Sequence, residues 1–196
     1  MKAYIEKQLN DSVKLKQAIV QDSTFVALIQ QVTDLCVRAY EKGNKVLAAG
    51  NGGSAADAQH IVAEFVSRFY FDRPALAAEA LTVNTSILTA IGNDYGYEKL
   101  FSRQIEANGK PGDIFFALST SGNSPNVLLA VEAAKARGIT VVGFTGAKGG
   151  KLAPLCDVCF KVPSNETPRI QEGHILFGHV ICAAIEETLY GKEKHA

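Results

Sequence analysis

Short apolar segments alternate with helical stretches along most of this sequence, and that alternation constrains the fold more than any other feature. Strands are predicted at residues 45–49, 113–118, 140–144 and 156–162, with a weaker one at 75–81. Short, uniformly apolar strands separated by helices are typical of a parallel sheet that is covered on both faces. We therefore predict an α/β fold with a doubly wound, five-stranded parallel sheet.

Helix signals fill the intervals between these strands. Helices are predicted at residues 2–20, 23–42, 85–91, 97–108 and 167–190, with another that follows residue 54 and ends near 69. A further helix has Ser124 as N-cap, Pro125 at its first position and Gly138 just past its end. No linker or composition break interrupts the pattern, so we predict one domain over residues 1–196. Residues 1–43 form a helical arm of that domain, and residues 44–190 form its α/β core.

The predicted final helix is unusual for a surface helix. Residues 175–185 are apolar almost all round, and Gly178 and His179 interrupt the apolar run. A helix of this kind must be covered on every side. We expect other subunits to cover it, with a central helix of a monomer as the alternative, and we expect the N-terminal arm to serve in the same oligomerisation.

Charge and hydropathy exclude several classes of function. The 196 residues carry 20 Lys and Arg against 20 Asp and Glu, so the formal net charge is zero. Such a chain gains little from counterion release, and we expect no nucleic-acid partner. No apolar run reaches the length of a membrane span, so we expect no membrane association and a cytoplasmic location. His195 falls in a charged tail that we expect to be solvent-exposed.

Two polar loops follow predicted strands and open predicted helices, where doubly wound sheets bind ligands. In the serine loop (residues 119–124), several hydroxyls, a glycine and a helix N-terminus together favour a phosphate site; simple N-capping is the alternative. The glycine loop (residues 50–54) begins a G-x-G-x-x-A pattern. We do not expect it to bind a nicotinamide dinucleotide, because no acidic residue ends the next strand at the required spacing.

His60 and Glu64 are the pair most suggestive of chemistry. They are four residues apart on a predicted helix, so they share one face and can hold a metal or act as acid and base. A hydrogen bond on the helix surface is the alternative. Gln171, His174 and His179 lie on the apolar final helix, where a buried histidine needs a hydrogen-bond partner. Lone histidines there are more often satisfied core residues than ligands.

The cysteines do not indicate a disulfide framework. Cys156 and Cys159 form a C-x-x-C motif within the predicted last strand. Residues three apart on a strand point to opposite faces, so we expect this pair not to share a zinc ion.

Taken together, these motifs resemble the sugar isomerase (SIS) domain family, and within it the bacterial phosphoheptose isomerases. The resemblance spans nearly the whole chain. It rests on residues 50–54, His60 with Glu64, residues 92–96, residues 119–124, and residues 169–174 with His179. It implies the flavodoxin-like variant of the doubly wound sheet, and a homotetramer with active sites between subunits.

The resemblance also implies an activity and its residues. The expected reaction converts sedoheptulose 7-phosphate, a phosphorylated seven-carbon sugar, to D-glycero-D-manno-heptose 7-phosphate, the first step toward heptose for the lipopolysaccharide core. The implied zinc ligands, one ion per subunit, are His60, Glu64, Gln171 and His179. The implied substrate contacts are Asn51, Gly52, Gly53, Glu64, Asn93, Asp94, Ser119, Thr120, Ser121, Ser124 and Gln171.

An aldose–ketose isomerisation through an enediol needs a base and an acid, and Glu64 and His179 fit these roles. Glu64 can alternate between base and ligand, or zinc can mainly organise the site. Gln171 and His179 are eight residues apart, which corresponds to about 12 Å along a regular helix. Three arrangements are compatible with this spacing: the two side chains converge steeply, the helix is irregular, or the two residues serve different sites. The alternatives to catalysis are a SIS scaffold that associates with the replication initiator and a sugar-phosphate-binding regulator. The scaffold lacks the counterparts of Glu64 and His179, so we favour an enzyme.

Overall fold

The computed structural model describes residues 1–194, with side chains through Gly191; His195, predicted to be exposed, lies outside the described residues. Over this range the sheet has five strands: β1 (Val46–Ala49), β2 (Ala78–Ala80), β3 (Ile114–Leu118), β4 (Thr140–Gly146) and β5 (Val158–Val162). The strand order is β2-β1-β3-β4-β5, and every neighbouring pair is parallel. The predicted doubly wound, flavodoxin-like sheet is confirmed.

Seven α-helices accompany this sheet within the described range: α1 (Lys2–Gln21), α2 (Ser23–Glu41), α3 (Gly53–Val66), α4 (Thr85–Tyr95), α5 (Ser102–Asn108), α6 (Pro125–Ala136) and α7 (Thr167–Lys194). The helix predicted at 97–108 is instead a 3₁₀ turn, Tyr97–Lys99, followed by α5. Helix α3 ends three residues earlier than predicted. The backbone amides of Phe69, Tyr70 and Phe71 donate to the carboxylate of Glu186, so they do not continue the helical hydrogen bonds.

Alternate residues of the strands build two separate cores. Ala48, Phe116 and Phe144 face the side of the sheet that carries α1, α2, α3 and α7. Leu47, Phe115 and Val141 face the side that carries α4, α5 and α6. Because both faces are covered, β1 and β3 are apolar and buried at every position.

The apolar helix α7 is covered in large part by its own chain. It packs against α1, α2 and α3 as well as the sheet. Phe177 stacks on Phe25 of α2 and Phe160 of β5, with ring centroids 5.1 and 4.7 Å apart. The helical arm therefore supplies cover that we had expected from other subunits. Val180 of α7 remains 40% exposed, and oligomerisation stays a prediction.

The strand boundary predicted for the C-x-x-C motif is wrong, whereas the expectation that the pair shares no zinc ion stays a prediction. Strand β5 begins at Val158 rather than at residue 156, so Cys156 lies in the turn before the strand. The strand rule for opposite faces does not apply there, and the sulfur atoms of Cys156 and Cys159 both project toward Gly143. Both cysteines, like the other two, are free thiols.

None of the helices formed by residues 1–194 combines the length and the apolar character that a membrane span requires.

Candidate active site

Helices α3 and α7 run side by side in the same direction, and their contact positions the candidate catalytic residues. Gln171 lies beside Gly53 at one end of the contact, Gly178 lies beside Ile61 in the middle, and Glu186 binds the turn after α3 at the other end. A Cβ atom on Gly178 would lie 2.6 Å from Cδ1 of Ile61, closer than side-chain atoms pack. The missing side chain of Gly178 therefore permits the close helix approach.

This approach assembles the His–Glu–His cluster (His60, Glu64 and His179). His60 Nε2 is 3.1 Å from Glu64 Oε1 and 3.3 Å from His179 Nε2. Ligand atoms of all three residues lie within 4.8 Å of one another. The predicted pairing of His60 with Glu64 on one helix face is thus observed, and His179 joins it from a second helix.

The surroundings of the cluster are partly open to solvent. The side chains of His60 and Glu64 are 49% and 23% exposed. Partial burial, and then the neighbouring His60, lower the pKa of His179. Within the described residues, Glu64 Oε1 faces His60 while no hydrogen bond reaches Oε2. One carboxylate oxygen thus belongs to the cluster, and the other has no hydrogen-bond partner among the described residues.

The donor set of this cluster fits a zinc ion. Two imidazole nitrogens and a carboxylate oxygen are ligand types that zinc prefers. The Nε2 atoms of His60 and His179 face each other across a hydrogen bond. A cation can bind both nitrogens in place of the hydrogen that they share. Gln171, the fourth predicted ligand, lies elsewhere in the chain.

The Gln171 side chain covers the start of α3. Its amide atoms lie within 3.0 Å of the position that a Cβ on Gly53 would occupy. Because α7 is a continuous helix, Gln171 and His179 are two turns apart, as the spacing predicts. Gln171 is thus held beside the glycine loop.

The glycine loop is joined to the start of α6 by a reciprocal amide pair. Asn51 Nδ2 donates to Asn126 Oδ1 over 2.9 Å, and Asn126 Nδ2 donates to Asn51 Oδ1 over 2.8 Å. Tyr97 also donates to Asn51 Oδ1, over 3.1 Å. These bonds therefore connect the glycine loop to the helix that the serine loop opens.

Two hydroxyls of the serine loop contact each other, whereas Ser121 is exposed. Ser119 and Ser124 share a hydrogen bond of 2.9 Å between their Oγ atoms. Ser124 is the N-cap of α6 by position, but among the described residues no side chain caps that helix. Simple N-capping, the alternative for this loop, is therefore absent, and the first amides of α6 are left without a side-chain acceptor.

The loop that contains Gly149 and Gly150 packs against Gly122 of the serine loop. Gly122 has a φ of +65°, and a Cβ there would lie 2.1 Å from the carbonyl oxygen of Gly149. Leu152 donates its amide to the carbonyl of Gly122 over 2.9 Å. Both the left-handed backbone and the close approach require glycine at position 122.

Asn93 and Asp94 lie apart from these loops in the chain. They sit near the end of α4, where Asn93 donates to Asp94 over 2.8 Å and both side chains are exposed. A cavity of about 340 Å³ is lined by Gly92 and Tyr97 together with part of the glycine loop, and neither Asn93 nor Asp94 lines it.

Comparison with known proteins places this architecture in a family. A sequence model described as "SIS domain" matches residues 10–146. The chain belongs to the SIS domain family. A phosphoheptose isomerase of Aneurinibacillus thermoaerophilus is 60% identical over 97% of this chain and 96% of its own. Phosphoheptose isomerase 2 of Campylobacter jejuni is 57% identical over 98% of this chain and 96% of its own.

Solved structures give the same result. The phosphoheptose isomerase GmhA of Neisseria gonorrhoeae superimposes with a TM-score of 0.89 at 43% identity, covering 95% of this chain and 98% of that one. The predicted resemblance to the phosphoheptose isomerases within the SIS family is confirmed, and the chain is an enzyme of the isomerase class.

Sequence reasoning missed Arg73 and Glu186 at this SIS-domain site. Arg73 donates to the carbonyl oxygens of Glu64 and Phe65, each over 2.7 Å, at the last turn of α3. Glu186 binds Arg73 and the backbone of the turn that follows. A carboxylate directly after the apolar run of residues 175–185 was the signal that could have revealed this pair.

Proposed function

We propose that this chain interconverts sedoheptulose 7-phosphate and D-glycero-D-manno-heptose 7-phosphate through an enediol. The observation that carries the proposal is the His–Glu–His cluster, in which a carboxylate and two imidazoles from different helices converge. High identity to enzymes named phosphoheptose isomerase supports the choice of a phosphorylated heptose. We further propose that the product supplies heptose for the lipopolysaccharide core.

In the proposed mechanism, Glu64 is the base and His179 is the acid. Oε2 of Glu64 takes the proton from C1 of the ketose and later returns it to C2. The His179 imidazole gives a proton to the C2 oxygen and takes one from the C1 hydroxyl, which completes the aldose. Positioned acid and base groups of this kind contribute about 10²- to 10⁴-fold each to such proton transfers.

A zinc ion is the proposed cofactor, with one ion per subunit. His60, Glu64 and His179 would hold it, and Gln171 remains the proposed fourth ligand. When bound, zinc polarises the carbonyl oxygen of the sugar. Because Gln171 of the same chain lies at Gly53, a fourth ligand at this ion calls for a copy from another subunit, and within its own chain Gln171 is suited to contact substrate.

The phosphate of the sugar is proposed to bind in the serine loop. The hydroxyls of Ser119, Thr120, Ser121 and Ser124 and the uncapped N-terminus of α6 provide donors and a positive dipole end. Asn51, Gly52, Gly53, Asn93 and Asp94 are proposed to contact the rest of the sugar. Binding the remote phosphate positions the carbonyl end for proton transfer.

The distances within one chain favour an active site shared between subunits. The serine loop and the glycine loop lie at the carboxyl edge of the sheet, whereas Glu64 is eleven residues along α3 from Gly53, about 16 Å away. That separation exceeds the reach of a seven-carbon sugar phosphate. The cluster of one subunit and the serine loop of another would therefore serve one substrate.

The exposed face of α1 supports the proposed homotetramer. Ile5, Leu9 and Val13 recur every four residues and are 50%, 64% and 52% exposed. Such an apolar stripe on a helix usually packs against a partner. We propose that residues 1–43 serve this contact while residues 44–190 form the catalytic core of a single SIS domain.

The direct test is turnover of sedoheptulose 7-phosphate, followed by the appearance of the aldose. We expect the Glu64→Gln variant to lose at least about 100-fold in kcat while unfolding like the parent protein. Glu132→Gln, an exposed change on α6, is the matched control. Absence of turnover in the parent protein, with and without added zinc, would exclude the reaction, and a near-normal rate in Glu64→Gln would exclude this base.

A further inference from the structure

The C-x-x-C motif brings two thiols together on the opposite side of the sheet from the His–Glu–His cluster. Gly143 of β4 pairs with Cys159 of β5. A Cβ on Gly143 would lie 2.4 Å from Sγ of Cys156 and 3.3 Å from Sγ of Cys159. The absent side chain therefore leaves the space into which both sulfur atoms project, and this shared space brings the two thiols close together.

The two sulfur atoms have different environments. The neighbouring Cys156 thiol, together with the Thr145 hydroxyl at 3.7 Å and the charge of Lys161, lowers the pKa of Cys159 to about 7. The neighbouring Cys159 and burial raise the pKa of Cys156, whose thiol donates to the carbonyl of Leu152 over 3.3 Å. Cys159 thus has thiolate character near neutral pH, whereas Cys156 keeps its proton.

Access and protonation distinguish this pair from the other two cysteines. Cys156 and Cys159 are half-buried, whereas Cys36 and Cys182 are buried in the core. Burial raises the pKa of Cys36 and Cys182. Because the thiolate is the nucleophile in thiol–disulfide exchange, reactivity should concentrate on Cys159.

We propose that Cys156 and Cys159 are a reversible dithiol, which low-molecular-weight disulfides oxidise to an intrachain disulfide. The Cys159 thiolate attacks one sulfur of the small disulfide, whose S–S bond breaks and releases one thiolate that takes up a proton. Cys156 then loses its proton to solvent and attacks Sγ of Cys159, which releases the second small thiol. The protein loses two hydrogens, and the small disulfide is reduced to two thiols.

The test exposes the folded full-length protein to glutathione disulfide and maps the products by mass spectrometry. For the parent protein we expect the loss of two hydrogens, a Cys156–Cys159 cross-link, and recovery of both thiols with a reducing agent. Cys36 and Cys182 should stay reduced and serve as internal controls. A cross-link that never forms, or adducts spread equally over all four cysteines, would overturn the proposal.

Two single variants test the order of the steps. Cys156→Ser should accumulate a stable glutathione adduct on Cys159, because the resolving thiol is gone. Cys159→Ser should react at least about tenfold more slowly, because Cys156 is protonated. Equal rates for the two variants would refute the assigned roles. Matching thermal unfolding of both variants and the parent protein establishes that the reaction occurs in the folded state.

Discussion

Arg73 and Glu186 form an ion pair that is almost completely buried, with Nε of Arg73 3.3 Å from Oε2 of Glu186 and side chains only 2% and 1% exposed. Glu186 also accepts the amides of Phe69, Tyr70 and Phe71. Arg73 in turn holds the carbonyl of Glu64. The pair thus ties the last turn of α3, which carries the proposed base, to α7, which carries His179.

Replacing Glu186 with Gln should destabilise the fold strongly. The change leaves the guanidinium of Arg73 buried without a counter-charge, for which about 3–5 kcal/mol is typical. Denaturant unfolding of the parent protein and of Glu186→Gln measures the difference. Glu187→Gln, an exposed neighbour, is the control and should unfold within about 0.5 kcal/mol of the parent. Equal stability of the two variants would show that the pair does not hold the turn.

Buried His174 should make the protein less stable in mild acid. Burial lowers the pKa of His174 to about 4, and its Nε2 lies 3.2 Å from the carbonyl oxygen of Thr145. Because this folded-state pKa lies below the ordinary value of about 6.5, the unfolded chain binds more protons between these two pH values. The free energy of unfolding should fall as pH drops from 6.5 to 4, by up to about 3 kcal/mol from this residue.

Unfolding titrations of the parent protein and of His174→Gln at several pH values measure this contribution. The variant should unfold more easily at pH 7, where a buried hydrogen bond is altered, yet its stability should change less over the same acid range. Parallel pH profiles for the two proteins would argue that His174 does not titrate in this window.

The sheet could be predicted from the sequence because its cause is local. Uniformly apolar strands such as Ile114–Leu118 carry the signature of a covered parallel sheet in their own residues. His60 and Glu64 could be paired because helix geometry fixes neighbours four residues apart. These inferences needed no knowledge of how distant segments pack.

The remainder of the site depends on the packing of α7 against α3. Arg73 and Glu186 are 113 residues apart, and no local pattern indicates which polar groups meet in a folded core. The error at Cys156 has a different origin. The predicted strand begins two residues too early, so the rule that strand residues alternate between faces was applied to Cys156, although this residue lies in a turn.

Gly178→Ala should reduce activity by separating the two helices. The new methyl would meet the fully buried Ile61, where overpacking costs about 1–3 kcal/mol. Replacing glycine within a helix gains back up to about 1 kcal/mol. We therefore expect a modest loss of stability but a larger loss of turnover, because His179 moves away from His60.

The double variant Gly178→Ala with Ile61→Ala tests that explanation. Removing the Ile61 side chain opens space for the new methyl, so part of the lost turnover should return even though the core is weakened. Kinetic assays and zinc content measured on the parent, the single variants and the double variant give the comparison. Additive losses of turnover would contradict the steric account.

Ser124→Ala should weaken anion binding more than it weakens the fold. The Ser124 hydroxyl contacts Ser119 rather than capping α6, so its loss removes one hydrogen bond worth about 1 kcal/mol. If the serine loop holds phosphate, that hydroxyl is also a direct donor to the anion. Inorganic phosphate, by binding the folded state, should raise the melting temperature of the parent protein. The increase should be much smaller in Ser124→Ala and unchanged in Ser86→Ala, an exposed serine on α4. An equal increase in all three proteins would place the phosphate elsewhere, because stabilisation that survives the loss of a direct donor does not arise in the serine loop.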